Sequence, residues 1–410
     1  MRGRPLLYTQ YEDEQALLPS MTRKVMVAVL FAVALTIPFQ LIPGLDFLAS
    51  SGWLILLNRA LIFAIGALGL NILVGLAGQV SLGHAFFMGV GAYAAVYLGG
   101  EASGSQIGLG LPIWIWLPAA GIAAALVGII VAPTSVRVRG LYLAIVTLGL
   151  VFIGEHIFRN WSSLAGPAEL GRVWPALEFR FWKEETALID FDSDGVWFGI
   201  ELLKEAKIFF LMLVLAALFT VLAKNLARTR IGRSFAAIRD RDIAAEVMGV
   251  ADAKAKTQAF AISSFYAGIA GALLASVVGR LPPEQWSLFL SVQFVAIVLI
   301  GGAGTVAGVL LGSFFVVLLP RLVENLSGVL AHSAEGDGWF QPIADFFVAR
   351  STDDFGLVFL GADGPGLTTD QLNAVLYGLL IALFLIFEPL GLFGIWIRIR
   401  NYWKGWPFTY

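Results

Sequence analysis

Four polar residues lie beside a glycine-rich interruption of an apolar stretch, and they are the first candidates for chemistry. The interruption reads Gly75-Leu-Ala-Gly-Gln-Val-Ser-Leu-Gly83, and the four residues are Asn71, Gln79, Ser81 and His84. Polar groups inside a bilayer are costly, so they usually face a cavity or a partner group. A helix broken at this point could present backbone groups to a substrate. We expect the four residues to border a substrate pathway, with helix packing as the alternative.

A charged segment, residues 233–249, is the second candidate site. Its apolar residues recur at mostly helical spacing, and Gly249 can end a helix. We therefore expect a short amphipathic helix. A helix that only binds lipid would be more uniformly basic, whereas mixed charge beside an apolar stripe suits a groove on another protein. The predicted contact residues are Arg233, Arg239, Asp240, Arg241, Asp242, Glu246 and Gly249.

Several kinds of chemistry are excluded or disfavoured by composition. The chain has no Cys and only three His, which excludes disulfides, thiolate metal sites and a Cys nucleophile and leaves a zinc site unlikely to form. No Gly-Lys-Ser/Thr follows the glycine-rich interruption, so we expect no nucleotide site and no cofactor in this chain. Glu155 and His156 lie near the end of an apolar run, where they are either an interfacial pair or a proton relay. We expect no enzymatic activity.

The overall composition is that of a membrane protein. The chain has 410 residues, of which 58% are hydrophobic and 14% charged. Soluble domains are close to half apolar and a quarter charged. The net charge of −2 gives no reason to expect nucleic acid as a partner. These values predict an all-α polytopic membrane protein.

About ten apolar runs are candidates for membrane spans, since a helix needs roughly 20 apolar residues to cross the bilayer. The third and eighth are short, and the glycine-rich interruption separates the second from the third. The runs are 25–42, 54–74, 84–98, 113–131, 141–158, 208–223, 257–278, 288–300, 306–322 and 371–387.

Lys and Arg concentrate in every second connection between these runs, which predicts their orientation. We place both termini in the cytoplasm, with a tail of residues 1–24, a membrane domain of residues 25–400 and a tail of residues 401–410. The basic loop 224–256 is then cytoplasmic. The acidic segments 159–205 and 323–370 lie on the outer face, where we expect ordered caps or hairpins.

Small residues recur at intervals of four in three of the runs. Gly304, Gly308 and Gly312 would share one helix face, and so would two similar sets in other runs. Small residues at this spacing let helix backbones approach closely. We expect helix packing there, and the alternative is that these faces move against each other. The two similar sets are Ser264, Gly268 and Ala272, and Gly91, Ala95 and Gly99.

Four segments together resemble the permease subunits of branched-chain amino acid ABC importers. They are residues 70–93 around the glycine-rich interruption, residues 137–149, residues 231–246 and the glycine motif of residues 301–312. The similarity extends over roughly residues 50–400. The motifs are specific for the family and much less specific for the substrate, because importers of urea, amides and other amino acids share most of them.

The resemblance implies a type II ABC importer permease architecture, with a broken or short helix pair, in the bacterial inner membrane. It implies three kinds of partner besides lipid: a second related permease, two ATPases that bind ATP and Mg²⁺, and a periplasmic or lipid-anchored amino-acid-binding protein. It also implies that the segment 233–249 docks on an ATPase and that residues 71–84 border the path. The outer segments are longer than the family pattern, which leaves the docking surface for the binding protein open.

Two other functions compete with this one. A secondary transporter would use Glu155 and His156 to carry protons and would act without an ATPase. A membrane-embedded enzyme would need a catalytic set, and none is recognisable. An apolar, uncharged path suits Leu, Ile or Val, although the binding protein could equally determine the substrate.

Overall fold

The structure is a computed structural model. It describes residues 21–41, 43–44, 46–102, 107–138, 140–166, 172–175, 177–180, 188–197, 199–334, 348–349, 358–359, 369–388 and 390–405. Most of the predicted outer segment 323–370 and of the two tails lies outside these residues.

Twelve long helices of the described chain are numbered here in order. They are α1 (Met21–Thr36), α2 (Ser51–Leu70), α3 (His84–Gly99), α4 (Ile113–Arg137), α5 (Leu141–Asn160), α6 (Lys204–Arg228), α7 (Arg230–Val247), α8 (Asp252–Val278), α9 (Leu288–Gly301), α10 (Val306–Ala334), α11 (Thr369–Phe387) and α12 (Gly391–Gly405). Shorter turns are the 3-10 helices Ile37–Phe39, Asp46–Ala49 and Pro283–Trp286, the π-helix Asn71–Leu76 and the helix Ser162–Ala165.

The described helices agree with the prediction of about ten spans. Six are long and apolar enough to cross a membrane, and four further apolar helices are shorter. The helices of the third and eighth runs, α3 and α9, are among the short ones. The observed helices differ from the predicted runs in where some of them end. The first helix stops at Thr36, just before Pro38, which lacks the N–H that a helix interior requires. Helix α10 continues to Ala334, into the segment predicted to be an outer cap.

Helix α8 lies at the centre of the bundle and packs on α2, α3 and α4. Small residues allow this close packing. A Cβ at Gly91 of α3 would overlap the backbone of Gly268 in α8, and a Cβ at Gly268 would lie 2.6 Å from Cβ of Ala124 in α4. The predicted stripes of small residues on α3 and α8 therefore meet each other.

Contacts between helix ends separate the bundle into two faces. On one face, residues of several helices and of the adjoining segments join in pairs: Asn58 with Glu205, Arg172 with Glu101, Arg159 with Glu284 and Trp114 with Arg180. On the other face, Gly75 contacts Arg239 and Gly304, and Gly302 contacts Leu390. Ten spans that alternate in direction would place these two groups of contacts on opposite faces in the same way.

Short strands cover the first face. They are β1 (Arg172–Val173), β2 (Glu178–Phe179), β3 (Ile189–Asp190), β4 (Gly195–Trp197), β5 (Ile200–Leu202), β6 (Arg280–Leu281), β7 (Val348–Ala349) and β8 (Val358–Phe359). Strands β2 and β3 pair antiparallel, as do β4 and β5, while β1 pairs antiparallel with β6 and β7 parallel with β8. The described part of segment 159–205 thus contains the hairpins that its composition predicts.

Candidate functional site

The break between α2 and α3 begins with a π-helical turn. The backbone N–H of Ala77 donates to the carbonyl of Ile72 at 3.1 Å, and the N–H of Gln79 donates to that of Leu73 at 3.0 Å. The chain is then unwound until His84, and Gly78 adopts a positive φ of 68°. Irregular backbone of this kind is tolerated within a membrane protein where other protein covers it or where it lines a cavity.

Asn71 lies at the start of this turn and connects it to a distant part of the chain. Its side chain is buried, and its Oδ1 accepts a hydrogen bond from the backbone N–H of Gly304 at 2.7 Å. The predicted pathway residue Asn71 therefore holds the two glycine-rich segments together.

The other three predicted pathway residues lie at different depths. Ser81 is buried, and its Oγ accepts from the N–H of Gly83 at 3.3 Å. His84 is 2% exposed, its ring lies 4.8 Å from that of Phe294, and its Nε2 has no hydrogen-bond partner among the described residues. Gln79 is half-buried and lines a cavity between the break and α7. The pathway role of these residues stays a prediction.

Side chains from two other helices cap the start of α3. The N–H of Leu82 donates to Oγ1 of Thr147 in α5 at 2.9 Å, and the N–H of Ala85 donates to Oγ of Ser291 in α9 at 3.0 Å. The first N–H groups of a helix lack intrahelical acceptors, and Ser291 supplies one for Ala85 in the first turn of α3. Leu82 lies in the unwound segment just before the helix, where Thr147 supplies the acceptor. Sequence reasoning missed Thr147 and Ser291. Their only signal was a hydroxyl inside an apolar run.

The predicted coupling segment is helical but kinked. Helix α7 starts after Thr229, whose Oγ1 accepts from the N–H of Gly232 at 3.3 Å. Phe235 and Ile238 are buried against the bundle. At Arg241 the backbone is extended, with φ −158° and ψ 104°, so two short helices meet there. The prediction of one continuous amphipathic helix is corrected by this kink.

The kink divides the predicted apolar stripe into two parts. Beyond Arg241, the side chains of Ile243, Val247 and Met248 are 65%, 82% and 84% exposed. Gly249, with φ 87°, ends this part of the helix. Its N–H donates to the carbonyl of Glu246, and the next N–H donates to that of Ala245, which is the Schellman pattern of a helix end. We call Ile243, Val247 and Met248 the docking surface.

The charged residues of this segment surround a small cavity. Arg233, Arg239, Asp240, Arg241 and Glu246 are exposed, and Asp242 is half-buried. The cavity measures about 210 Å³ and is lined by Arg239, Asp240, Arg241 and Asp242 together with residues of the helix break.

A buried ion pair also borders this cavity. Nζ of Lys256 lies 2.7 Å from Oδ2 of Asp252, and both side chains are less than 10% exposed. The pair lies in the first turns of α8, directly after the coupling segment. Sequence reasoning did not single it out, although Lys and Asp four residues apart on a helix are a recognisable signal.

One glycine of the predicted packing set occupies a different position. Gly308 and Gly312 lie in α10, and a Cβ on either would overlap the backbone of α9 at Gly301 and Ile297. Gly304 precedes the first residue of α10, has a φ of 83° and belongs to the turn between the two helices. The expectation that all three share one helix face is therefore wrong for Gly304. Its conformation suits a turn that only Gly adopts readily.

Glu155 and His156 lie near the C-terminal end of α5, on the face that the strands cover. Oε1 of Glu155 is 3.7 Å from Nη2 of Arg159, which is 2.9 Å from Oε1 of Glu284. His156 is exposed beside Asn160. These contacts form an ion-pair group at a helix end, as expected of an interfacial pair. Across the described residues, no group of three His, Asp or Glu side chains could hold a metal ion.

Comparison with known proteins agrees with the geometry. The model of the family described as branched-chain amino acid transport system / permease component matches residues 52–385. The high-affinity branched-chain amino acid transport system permease protein LivM of Escherichia coli (strain K12) is 32% identical over 317 residues, which is 76% of this chain and 72% of that protein. LivM of Salmonella typhimurium (strain LT2) is 32% identical over 287 residues, which is 68% of this chain and 66% of that protein.

A more distant relative matches over a shorter region. The autoinducer 2 import system permease protein LsrC of Enterobacter sp. (strain 638) is 37% identical over 117 residues, which is 27% of this chain and 34% of that protein. No solved structure matches. The proton-driven secondary transporter finds no support among these relatives. The family match over most of the chain, together with the helix break and the glycine turn, shows that this protein belongs to the permease components of branched-chain amino acid transport systems.

Proposed function

We propose that this chain is one of two permeases in an ATP-driven importer of branched-chain or related neutral amino acids. Its membership of the permease family supports the transport role, and the name of LivM supports the substrate class. The proposed location is the bacterial inner membrane, with both termini in the cytoplasm. A periplasmic or lipid-anchored binding protein delivers the amino acid to the outer face, and the chain itself catalyses no reaction.

The docking surface is the observation that carries the ATP-driven mechanism. Ile243, Val247 and Met248 project from the inner face, and charges of both signs flank them. An exposed apolar patch with a polar rim is typical of a protein contact. Because the second half of α7 is a short helix with an exposed apolar face, it fits a groove on a partner. We assign that groove to one of two ATPases, which bind ATP and Mg²⁺.

The experiment that tests this function is purification of the tagged complex with substitutions in the docking surface. Val247→Asp places a charge in a surface that the proposal buries. We expect the variant to lose at least about 90% of the co-purified ATPase, because an unpaired interfacial charge costs several kcal/mol. ATP-dependent uptake of leucine in vesicles should fall in parallel.

The matched control is Val196→Asp in strand β4. Val196 is also exposed, at 62%, but it lies on the opposite face of the bundle. This control should retain the ATPase at the wild-type ratio. If Val247→Asp retained the full complement of ATPase, the docking role of this surface would be wrong. If the wild-type chain purified with no ATPase, the importer proposal itself would be wrong.

A further inference from the structure

Arg239 lies where three segments that are separate in the sequence meet: the coupling segment, the helix break and the glycine turn. Its Nη1 donates to the carbonyl oxygen of Gly75, in the π-helical turn, at 2.7 Å. Its Nε lies 3.3 Å from Oδ1 of Asp240. One guanidinium thus connects the coupling segment to the broken helix, across 164 positions of sequence.

Close backbone contacts surround this hydrogen bond. A Cβ at Gly78 would lie 2.7 Å from Cγ and 3.2 Å from Cα of Arg239, so α7 rests directly on the break. A Cβ at Gly75 would overlap Oδ1 of Asn71 and the backbone N of Gly304. Two glycine-rich segments and α7 therefore touch at one place. We call Asn71, Gly75, Gly78, Arg239 and Gly304 the glycine junction.

The bonds of the glycine junction are of the kind that hold a helix end. The last carbonyl groups of a helix have no intrahelical donor, and Gly75 is one residue from the end of the π-helical turn. A charged donor makes a hydrogen bond about twice as strong as a neutral one. The amide of Asn71 ties the turn of Gly304 to the same helix end. A displacement of Arg239 would therefore carry both glycine-rich segments with it.

The local backbone also favours movement at this place. π-helical turns and glycines are common sites of bending in helices. Arg241, where α7 kinks, is two residues from Arg239, and the docking surface begins two residues beyond it. A force on the docking surface therefore reaches Gly75 through a short, directly bonded path.

We propose that Arg239 is a positioning residue that transmits movement of the docking surface to the break between α2 and α3. The glycine junction then moves as one unit and shifts the inner ends of α2 and α10 during the ATP cycle. This inference rests on the proposed function, since it assumes a partner that pulls on the docking surface.

Sequence alone predicted Arg239 as a partner contact, but its guanidinium bonds Gly75 and Asp240 and it is not one of the docking-surface residues. Its substitution therefore separates transmission from docking. In the complex reconstituted with its ATPases and binding protein, Arg239→Gln should retain ATPase co-purification and ATP hydrolysis. Leucine uptake per ATP hydrolysed should fall about tenfold, within the range typical of coupling between sites. Arg239→Lys keeps a charged donor and should restore part of this ratio.

Arg230→Gln is the matched control, since Arg230 is an exposed arginine in the first turn of the same helix. It should keep the wild-type ratio of uptake to hydrolysis. An Arg239→Gln complex with that same ratio would overturn the proposal. A parallel loss of assembly, hydrolysis and uptake, with Arg239→Lys no better, would also overturn it, because the contact would then be structural only.

A distance measurement tests the movement itself. The chain has no Cys, so spin labels attach only where Cys is introduced. Labels at Val80, beside the break, and at Leu203, on the opposite face, are both at exposed positions. With Arg239 intact, ATP should shift the distance between the labels, and in Arg239→Gln this shift should disappear. An equal shift in both, or no shift in either, would overturn the proposal.

Failure of the proposed function gives a different result. The complex with Arg239 intact would then show no ATP-dependent uptake, and the proposed linkage would fall with it. Failure of the linkage alone leaves that complex fully active.

Discussion

At the residue scale, the glycine junction depends on the lack of a Cβ in its glycines as much as on the side chains of Asn71 and Arg239. Gly75 contacts both the amide of Asn71 and the backbone of Gly304. Neither group can move aside at low cost, because one is backbone and the other is held by a short hydrogen bond of 2.7 Å. Gly75 therefore tolerates no Cβ, whereas many other glycines of the chain have open space around them.

Gly75→Ala should destabilise the protein for this reason. Forcing atoms into a packed site typically costs about 1–3 kcal/mol. We expect a lower midpoint of thermal unfolding in detergent, measured by tryptophan fluorescence.

Gly149→Ala is the control for this change. Gly149 lies within α5, and a Cβ there would meet no atom within 4 Å. Because Ala is about 1 kcal/mol better than Gly in a helix interior, this control should be neutral or slightly stabilising. Equal midpoints for the two variants would contradict the close packing of the glycine junction.

At the element scale, α3 begins inside the protein without a side-chain cap of its own. The N–H of Ala85 in its first turn depends on the hydroxyl of Ser291 in α9, and the N–H of Leu82, just before the helix, depends on that of Thr147 in α5. Tertiary contacts therefore hold the start of α3, in addition to the local glycines that break the helix. This arrangement fixes the start of α3 relative to two neighbouring helices.

Ser291→Ala should test the importance of this capping. The change leaves the buried N–H of Ala85 without its acceptor, and an unpaired buried group costs about 1–3 kcal/mol. The expected result is a loss of that size in the free energy of unfolding, measured in mixed micelles with increasing denaturing detergent.

Ser313→Ala offers a closely matched control. Both serines are fully buried, but Oγ of Ser313 donates only to the carbonyl of Leu310 in its own helix. Removing it leaves no unpaired N–H, so we expect a smaller change than for Ser291→Ala, at most about 1 kcal/mol. If both variants behaved alike, the cap at α3 would contribute nothing measurable.

At the scale of the whole molecule, the contacts between helix ends define two faces, and the charge distribution predicts which one is cytoplasmic. The break, the coupling segment and the glycine turn lie together on one face. The strands of segment 159–205 lie on the other. Lys and Arg are enriched in the loops of the face that carries the break and the coupling segment, which predicts that this face is the cytoplasmic one.

Thiol labelling can check this orientation in a chain without Cys. Cys introduced at Val196 should react with a membrane-impermeant maleimide in cells whose outer membrane is permeable to it. Cys introduced at Met248 should react only after the inner membrane is opened. Both positions are exposed, at 62% and 84%, so access alone decides the result. The reverse labelling pattern would invert the proposed topology.

Much of the architecture follows from local sequence. Each apolar run forms its own helix because backbone groups in lipid must be satisfied within the segment. This explains why the runs 84–98, 113–131 and 141–158 correspond so closely to helices His84–Gly99, Ile113–Arg137 and Leu141–Asn160. The break after Leu76 is equally local, since it depends on the glycines and polar residues that follow.

Only the tertiary structure decided how the candidate residues combine. The kink at Arg241 exposes Ile243, Val247 and Met248, although spacing alone placed them on one stripe with buried Phe235. Gly304 lies in a turn because Asn71, 233 positions away, binds its N–H. Arg239 reaches Gly75 only once α7 has folded onto the break. Such contacts depend on where distant segments meet, and helical periodicity carries no information about that.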